Sequence, residues 1–563
     1  MGLLGLAVAG FYGHVLQQWW LFDDPQILKH ALHYSPVEYF FKPAAWRDLI
    51  LFSLTPWLTL TYDFDLTLFG FDPAGFYLHG LLTLWLCSVM IFLCLRPITG
   101  DLHASVAAGL FLLGTPVSTA VHELMVRHYL EGLLWALFGF WCYRRGLLRS
   151  QLRWHWLAAG CFALAFTAKE VYVPVALLVC LWPAVLGRFR WRAALPLMVT
   201  LVLYAVWRKA MLGDWVGGYV PAGHLAGQRE WGALARFAAV PGVFWSWPRM
   251  GGVAVLGVWL VGLWQSRRRG RWCGLSLMVA GIALAPLVPL AFNGDFGPDS
   301  ARFFMVPWVL LVIGTSAVLA RWQGPVRARA LVAASLYAGL AWPAWQQSRL
   351  DRLQFEQARA RYEVQGHQLL ALKPDERLWA SDDILPHYLA GLRDLRADMG
   401  YGESRAIYWL DEAQVLEASL HPLRVLRAQD GQIRDVTAEI SPLLSAWRAS
   451  LRADPLSVSI SLKPSEQALS WDLGPAAEGA YAYLSGETLT AISAHGALRR
   501  ERPLDACFRI RLIRPSGERV YSPPLKMAGP DAQGYRQLAW QGRGDLFESG
   551  VTAFSGCDVV TVP

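Results

Sequence analysis

The chain has 563 residues, of which 55% are hydrophobic and only 17% carry a charged side chain. A soluble globular protein is closer to a quarter charged, so the composition excludes an ordinary soluble enzyme and indicates a membrane protein. The formal net charge of +8 does not indicate a nucleic-acid-binding protein. The basic residues fall in short clusters between apolar runs, which is the pattern of membrane topology, and we expect no nucleic-acid partner.

Apolar runs of roughly 20 residues, the length of a helix that spans a bilayer, recur through the first 345 residues. They predict eleven spans, at 2–21, 74–95, 103–121, 126–143, 154–168, 171–187, 193–211, 250–266, 273–292, 302–320 and 328–345. Two further apolar stretches contain proline and are too short to cross, at 48–60 and 237–248. We interpret both as interfacial or re-entrant segments. If the second one crosses, the topology after it is reversed.

Arginines collect in the short connections that follow the even-numbered spans. A cytoplasmic N-terminus places all of these connections inside, as the positive-inside rule requires. The residues are Arg96, Arg144, Arg145, Arg149, Arg153, Arg188, Arg190, Arg192, Arg267, Arg268, Arg269, Arg271, Arg321, Arg327 and Arg329. Eleven spans then put the C-terminal portion outside. The first span lacks a basic n-region, and its only A-x-A-like site (Ala7 to Ala9) comes too early for cleavage, so we expect a retained anchor.

Other polar residues gather in the opposite, outer connections. Ionisable residues at membrane depth are costly and usually functional, although any single one of them can be a wetted loop residue. That simpler explanation is weakest for Lys169 and Glu170, which stand in a tight turn between two apolar runs. The segments are "FDDP" (22–25), "FKPAAWRDL" (41–49), "FGFDPAGFYLHGLL" (69–82), "GTPVSTAVHELMVRHYLEGLL" (114–134), "AFTAKEVYVPVALL" (165–178), "WRKAMLGDWVGGY" (207–219) and "ARFFMVPWVLL" (301–311).

The order and common side of these segments, over roughly residues 1–345, resemble the GT-C superfamily of integral-membrane glycosyltransferases, in particular bacterial relatives of protein O-mannosyltransferases. The resemblance implies a multi-span bundle with an outer-face cavity, a catalytic aspartate in the first outer loop and a sugar donor on polyprenyl phosphate. Lys42 precedes Pro43 where such relatives often have arginine, which leaves the donor and the acceptor open.

The chemistry of glycosyl transfer fits the residue types in these segments. The reaction passes through an oxocarbenium-like state and needs a carboxylate to take the acceptor's hydroxyl proton. We expect Asp24 to be that base, with Asp23 orienting the loop or exchanging roles with it. The alternative is that "DDP" only stops one helix and caps the next.

Cations are expected to stabilise the charge that grows on the departing phosphate. Lys169, Arg208 and Arg302 are favoured, and Lys42, Arg127 and His128 are further candidates. Substrate contacts are expected from Glu123, Glu170, Tyr172 and Tyr219.

A second acidic cluster contains Asp63, Asp65 and Asp72. A D-x-D pair can hold a divalent metal beside a sugar phosphate. We favour a wetted interfacial edge for the first two residues and a helix cap for Asp72. No metal and no cofactor besides the donor are therefore expected.

A transporter or flippase of a sugar-lipid is the alternative function. Many transporters have internal repeats and broken helices at the midplane. No such repeat is visible in this sequence, and its charged residues lie in the outer connections and not at the midplane.

The predicted architecture is a polytopic α-helical membrane protein of about 11 transmembrane helices, GT-C-like, with an outer α/β plus β-sandwich portion. Residues 1–345 form the transmembrane catalytic domain. Residues 346–454 form an amphipathic helix and a mixed α/β linker domain, and residues 455–563 form a β-sandwich-like domain. We expect the bacterial inner membrane as location, with the C-terminal portion in the periplasm. The expected partners are a polyprenyl-phosphate donor and a glycan, lipid or protein acceptor.

Cys507 and Cys557 are the two cysteines of the β-rich portion. In the periplasm they should form a disulfide, which would stabilise the domain by about 2–4 kcal/mol.

Overall fold

The computed structural model describes residues 1–185, 190–215, 298–321, 325–381, 384–402, 406–418, 424–429, 432–463, 468–485, 488–499, 507–547 and 558–559. The chain forms two compact units. The first contains Met1–Trp19, His30–Gly217 and Gln228–Gln357, and the second contains Trp20–Lys29, Gly218–Gly227 and Ala358–Pro563. The predicted spans 250–266 and 273–292, the segment 237–248 and Tyr219 lie outside the described residues.

The first unit is helical. Several of its helices begin at a proline, which suits the first turn because its missing N–H is not needed there. The helices are α1 (Gly2–Tyr12), α2 (Asp24–His33, shared with the second unit), α3 (Pro36–Phe41), α4 (Pro43–Leu49), α5 (Pro56–Phe69), α6 (Pro73–Leu112), α7 (Thr115–His122), α8 (His128–Arg149), α9 (Leu152–Ala168), α10 (Val173–Val185), α11 (Trp191–Leu212), α12 (Met305–Arg321) and α13 (Val326–Ala371, also shared with the second unit).

Three helices of the described part are long and apolar enough to cross a membrane. They are Pro73–Leu112, Trp191–Leu212 and Ala301–Arg321, and Gly2–Gln17 and Glu170–Leu181 are shorter apolar helices. Each predicted span in the described part overlaps a helix. The helical, partly apolar architecture agrees with the prediction, and the number of eleven spans stays a prediction.

The span predicted at 103–121 is not one continuous helix up to residue 121. Helix α6 is broken at Gly100, whose φ of 80° lies in the region that glycine tolerates. Its second segment stops at Leu112, and the chain restarts in α7 after Gly114. A Cβ at Gly114 would lie 2.2 Å from the ring of Trp308, so this close approach requires glycine. The indole N–H of Trp308 donates to the Phe111 carbonyl, 3.0 Å away, at the end of α6.

Helix α13 joins the last predicted span to the predicted amphipathic helix. It runs for 46 residues without interruption, and Pro343 lies inside it. The predicted boundary at 345/346 therefore falls within one helix. The division of the chain into three domains stays a prediction.

The second unit contains a small α/β layer followed by a β-sandwich. In the first sheet the order is β2 (Tyr408–Trp409), β1 (Glu376–Trp379), β3 (Arg424–Gln429) and β4 (Gln432–Asp435), and β1 is parallel to both neighbours. Helices α14 (Pro386–Leu395), α15 (Glu412–Ala418) and α16 (Ile440–Ser450) accompany these strands.

Two sheets that share one apolar core form the sandwich. One has the order β13 (Arg536–Arg543), β5 (Pro455–Lys463), β6 (Ala468–Asp472) and β9 (His495–Arg499). The other has the order β14 (Asp558–Val559), β12 (Leu525–Lys526), β10 (Phe508–Ile513), β7 (Ala480–Ser485) and β8 (Leu489–Ile492), and β11 (Arg519–Tyr521) pairs with β10.

The alternation of apolar and polar residues along the strands produces this core. In β5, Leu456, Val458, Ile460 and Leu462 are all buried, while the residues between them face away, as the two-residue period of a strand requires. The stretch "RPSGER" forms the hairpin between β10 and β11. Cys507 is disulfide-bonded, and its predicted partner Cys557 lies outside the described residues.

Candidate functional site

One end of the helical bundle carries the favoured basic residues. His128 begins α8, Lys169 follows α9, Arg208 lies in the last part of α11, and Arg302 lies just before α12. The opposite ends of the same helices carry arginines that the predicted topology places inside: Arg144, Arg145, Arg149, Arg153, Arg190, Arg192 and Arg321. The structure thus separates the two groups of basic residues as the sequence analysis predicts.

Lys169 lies in the turn between α9 and α10. Its ammonium donates to the Ser53 hydroxyl at 3.3 Å and lies 5.1 Å from the centre of the Tyr129 ring. Burial and the nearby charge of Arg302 lower the pKa of Lys169 to about 8, while Glu170 opposes this shift. His128 lies within electrostatic reach of both Lys169 and Arg302.

Glu170 and Arg208 form a brace beside Lys169. The Arg208 Nε lies 2.8 Å from Glu170 Oε1, and the same oxygen accepts the Leu54 N–H at 3.2 Å. Arg208 also donates to the Asp214 carbonyl. Its guanidinium is nearly fully buried, so its described contacts fix the turn that carries Lys169.

Arg302 is held less tightly. Its Nη1 lies 3.7 Å from Glu123 Oε2, and about a fifth of the side chain is exposed. The separation is longer than a direct charged hydrogen bond, so the contact between Arg302 and Glu123 is electrostatic. The two predicted candidates Glu123 and Arg302 are therefore brought together, although they lie on separate segments of the chain.

Like charges within reach of each other disfavour each other's ionised state. The charge of Arg302 disfavours the ionised state of Lys169 in this way, and Glu170 forms an ion pair with Arg208. An anion that binds near the first two residues would relieve the repulsion. The arrangement is therefore suited to a phosphate group, for which lysine supplies a point charge and arginine a planar fork.

The pH dependence of anion binding should report on Lys169. With a pKa of about 8, this ammonium is mostly charged at pH 7 and mostly neutral at pH 9, so a phosphate that contacts it loses roughly tenfold in affinity. We expect a polyprenyl phosphate, the lipid carrier that the sequence analysis predicts, to show this loss when it binds the protein in nanodiscs. The Lys169→Arg variant keeps its charge and serves as the reference for titration of the lipid phosphate itself. Parallel pH profiles for the two proteins would contradict contact with Lys169.

Arg127 contacts a different set of groups. Its side chain is 1% exposed; Nη1 contacts Asp65 Oδ2, and Nε lies 3.2 Å from Glu131 Oε1. His79 Nδ1 lies 2.8 Å from Asp65 Oδ1, and Thr61 donates to Glu131 at 3.3 Å. The described contacts of Arg127 are thus those of a buried ion network, and its predicted role in donor binding stays a prediction.

The interpretation of Asp65 as a wetted edge is wrong. Residues 56–69 form a helix, in which positions 63 and 65 point about 200° apart. Asp65 is fully buried against Arg127, whereas Asp63 is partly exposed. Asp72 does cap a helix, because its Oδ1 accepts the Ala74 N–H at 3.0 Å.

His79 and Glu131 were not among the candidate site residues. The spacing of Arg127 and Glu131, four residues apart inside an apolar run, was a usable signal because i,i+4 pairs meet on one helix face. Among the described residues, no group of three His, Cys, Asp or Glu side chains is placed to hold a metal ion.

The acidic pair of the first outer connection belongs to the second unit. Asp24 is fully buried, and its Oδ2 accepts the N–H of Leu21, which precedes α2, at 2.8 Å. Asp23 is about half exposed, and its Oδ1 lies 2.5 Å from His387 Nε2. Within this unit, Asp23 therefore has the more accessible carboxylate.

Two further candidates have local partners. Lys42 is exposed and pairs with Glu38 at 3.3 Å, four residues earlier. The Tyr172 hydroxyl is buried and donates to the Tyr129 carbonyl, which ties the turn after Lys169 to α8. Among the described contacts, none joins Lys42 to Lys169, Arg208 or Arg302. The bond from Tyr172 fixes the turn that follows Lys169.

Comparison with known proteins gives structural similarities only. No family model matches the chain, and no curated protein sequence matches it. The chain is similar to ArnT from Cupriavidus metallidurans in the apo state (15% identity, 78% of this chain and 94% of that chain, TM-score 0.44). The same protein bound to undecaprenyl phosphate gives 14% identity, the same two shares and a TM-score of 0.43.

An oligosaccharyltransferase from Archaeoglobus fulgidus, tethered to an acceptor peptide, is also similar (12% identity, 83% of this chain and 68% of that chain, TM-score 0.36). The three TM-scores lie between 0.36 and 0.44, and the three identities lie between 12% and 15%. At such identities and TM-scores these matches carry no argument about chemistry, which depends on the side chains described above.

Proposed function

We propose that this protein is a membrane glycosyltransferase that moves a sugar from a polyprenyl-phosphate donor to a hydroxyl of an envelope acceptor. The acceptor is a protein such as a pilin, a lipid or a polysaccharide. The reaction takes place on the outer face of the bacterial inner membrane and inverts the anomeric carbon. The observation that carries this proposal is that Lys169 and Arg302 lie on separate connections at one end of the bundle, where the charge of Arg302 lowers the pKa of Lys169.

The donor half of the proposal assigns the phosphate to Lys169 and Arg302. A phosphate leaving group gains negative charge as the glycosidic bond breaks, and preorganised cations lower the energy of that state. Arg208 and Glu170 fix the turn that carries Lys169. The leaving group is already stable as an anion, so the mechanism needs no acid to protonate it.

The acceptor half assigns the base to the acidic pair. Asp23 is the preferred base because its carboxylate is half exposed, whereas Asp24 is buried at the start of α2. The acceptor oxygen forms the new bond to the anomeric carbon while its proton passes to Asp23. The electron pair of the broken bond leaves on the lipid phosphate.

The proposal is tested by following both products of transfer. Full-length protein in nanodiscs is incubated with synthetic polyprenyl phosphates that carry mannose, galactose, glucose, aminoarabinose or arabinofuranose, together with envelope material as acceptor. Mass spectrometry should find free polyprenyl phosphate and an equal amount of acceptor whose mass has increased by one sugar. A donor that changes leaflet with its glycosidic bond intact would instead identify a flippase.

The contribution of Arg302 can be measured separately from turnover. Arg302→Ala should weaken undecaprenyl phosphate binding about 10–100-fold, since hydrogen bonds to charged groups are among the stronger ones. Arg302→Lys keeps the charge but loses the fork, so it should recover only part of the affinity. Arg321→Ala, at the exposed opposite end of α12, is the matched control. Wild-type affinity and transfer in Arg302→Ala, with an unchanged Tm, would remove Arg302 from the donor site.

A further inference from the structure

Helix α14 lies along the segment of the second unit that carries the acidic pair. His387 in its first turn contacts Asp23, with 2.5 Å between Nε2 and Oδ1. Two turns later, Asp394 Oδ2 lies 2.6 Å from Lys29 Nζ. Positions seven residues apart share one helix face, so a single face of α14 contacts this segment at both ends.

Gly391 lies between these two contacts, one turn after His387. A Cβ at this position would lie 2.7 Å from Pro25 Cβ and 3.1 Å from the Gln26 nitrogen. A separation of 2.7 Å between two carbon atoms is well inside their van der Waals contact distance. The absence of a side chain at Gly391 therefore allows the helix to approach the backbone next to the acidic pair.

Tyr362 contacts both α14 and the segment that carries the acidic pair. Its hydroxyl accepts the N–H of Leu385, the residue before α14, at 3.2 Å. Its carbonyl accepts the Tyr388 hydroxyl at 2.9 Å, and its ring lies 5.1 Å from the ring of Phe22. The start of α14 and the residue before Asp23 are thus fixed to the same tyrosine.

We propose that His387 is a positioning residue for the base Asp23, an inference that rests on the proposed function. An ionised carboxylate only accepts hydrogen bonds, so His387 Nε2 carries the proton and donates to Oδ1. This bond fixes the rotamer of Asp23 and leaves Oδ2 directed to the acceptor hydroxyl. The proton of that hydroxyl passes to Oδ2, while the hydroxyl oxygen bonds the anomeric carbon and the phosphate leaves with the electron pair.

The first experiment separates turnover from binding. His387→Ala should lower kcat about 10–100-fold, the usual effect of removing a partner that orients a reacting group, with donor KM and undecaprenyl phosphate affinity unchanged. His387→Gln keeps an N–H donor of similar reach and should recover kcat to within about tenfold of wild type. If His387→Ala fails to fold, His387→Leu replaces it, because leucine fills the space without donating.

The second experiment tests whether His387 acts through Asp23. In the Asp23→Asn background, His387→Ala should cause no additional loss of kcat, because residues that act as a unit are not additive. His495→Ala is the control, since His495 Nδ1 lies 2.9 Å from Asp472 in an exposed pair of the same kind on the sandwich. It should leave kcat unchanged.

Two results would overturn the inference. Wild-type kcat in His387→Ala, together with a large loss in Asp23→Asn, would reject His387 and leave the glycosyltransferase proposal standing. Losses that multiply in the double variant would show that His387 acts independently of Asp23. If the wild-type protein transfers no sugar from any donor, the proposed function itself is wrong. The assay of free polyprenyl phosphate shows this before any variant is made.

Discussion

Asp23→Asn is expected to lower turnover by about 10²–10⁴-fold, the usual contribution of a general base. Asparagine keeps the size of the side chain and can still accept the hydrogen bond from His387, but it cannot take the acceptor's proton. Undecaprenyl phosphate affinity should stay at the wild-type value, because the donor phosphate is assigned to other residues. The measurement is single-turnover release of polyprenyl phosphate from the donor that the wild-type enzyme uses.

Asp24→Asn should have a smaller effect, within about tenfold of wild type. Its amide oxygen can still accept the Leu21 N–H, and the position is buried. Asp63→Asn is the control on a partly exposed carboxylate outside the acidic pair. A larger loss in Asp24→Asn than in Asp23→Asn would reverse the roles of the pair. Full transfer in both variants would reject an aspartate base altogether.

Arg127→Met is expected to destabilise the protein by about 3–5 kcal/mol. Removal of one partner from a buried ion pair leaves the other charge uncompensated, and here both Asp65 and Glu131 would lose their cation. Thermal unfolding in a fixed detergent measures the change. Arg96→Ala is the matched control, because Arg96 pairs with Asp101 in an exposed position where the effect is about 0–1 kcal/mol.

Asp65 allows a second test of the buried ion network around Arg127. Arg127→Met combined with Asp65→Asn should recover part of the lost stability, because one of the two uncompensated charges is then absent. Loss of the same size in Arg127→Met and in Arg96→Ala would show that the network is open to water. Recovery of stability in the double variant without recovery of transfer would separate the network from catalysis.

Apolar length predicts the helices of the first unit that overlap the expected spans, whereas α2, α3 and α4 are not predicted from the sequence. The sequence predicts Lys169, Glu170, Arg208 and Arg302 from their polarity beside apolar runs together with the resemblance to GT-C glycosyltransferases, and the structure places them at one end of the bundle. The strands of the sandwich followed from the two-residue alternation, which is a local property of the chain.

The missed features depend on contacts between residues distant in sequence. The sequence predicts a wetted edge for Asp65 because it alternates with Asp63 in an interfacial segment, and only the helix 56–69 turns the two residues apart. The pairing of His387 with Asp23 joins positions 364 residues apart, and no local pattern encodes it. The end of α6 at Leu112 depends on Trp308, which belongs to another helix.

The contact between α14 and residues 22–29 has a consequence for biosynthesis. The acidic pair leaves the ribosome early, but His387 follows 364 residues later. At about 5–20 residues per second, roughly 20–70 s separate their synthesis. During that interval the pair lacks its positioning helix, so a nascent or prematurely terminated chain already inserted in the membrane would hold an unassembled acidic segment. On the proposed function, full turnover would then be reached only after α14 has been synthesised and has packed against residues 22–29.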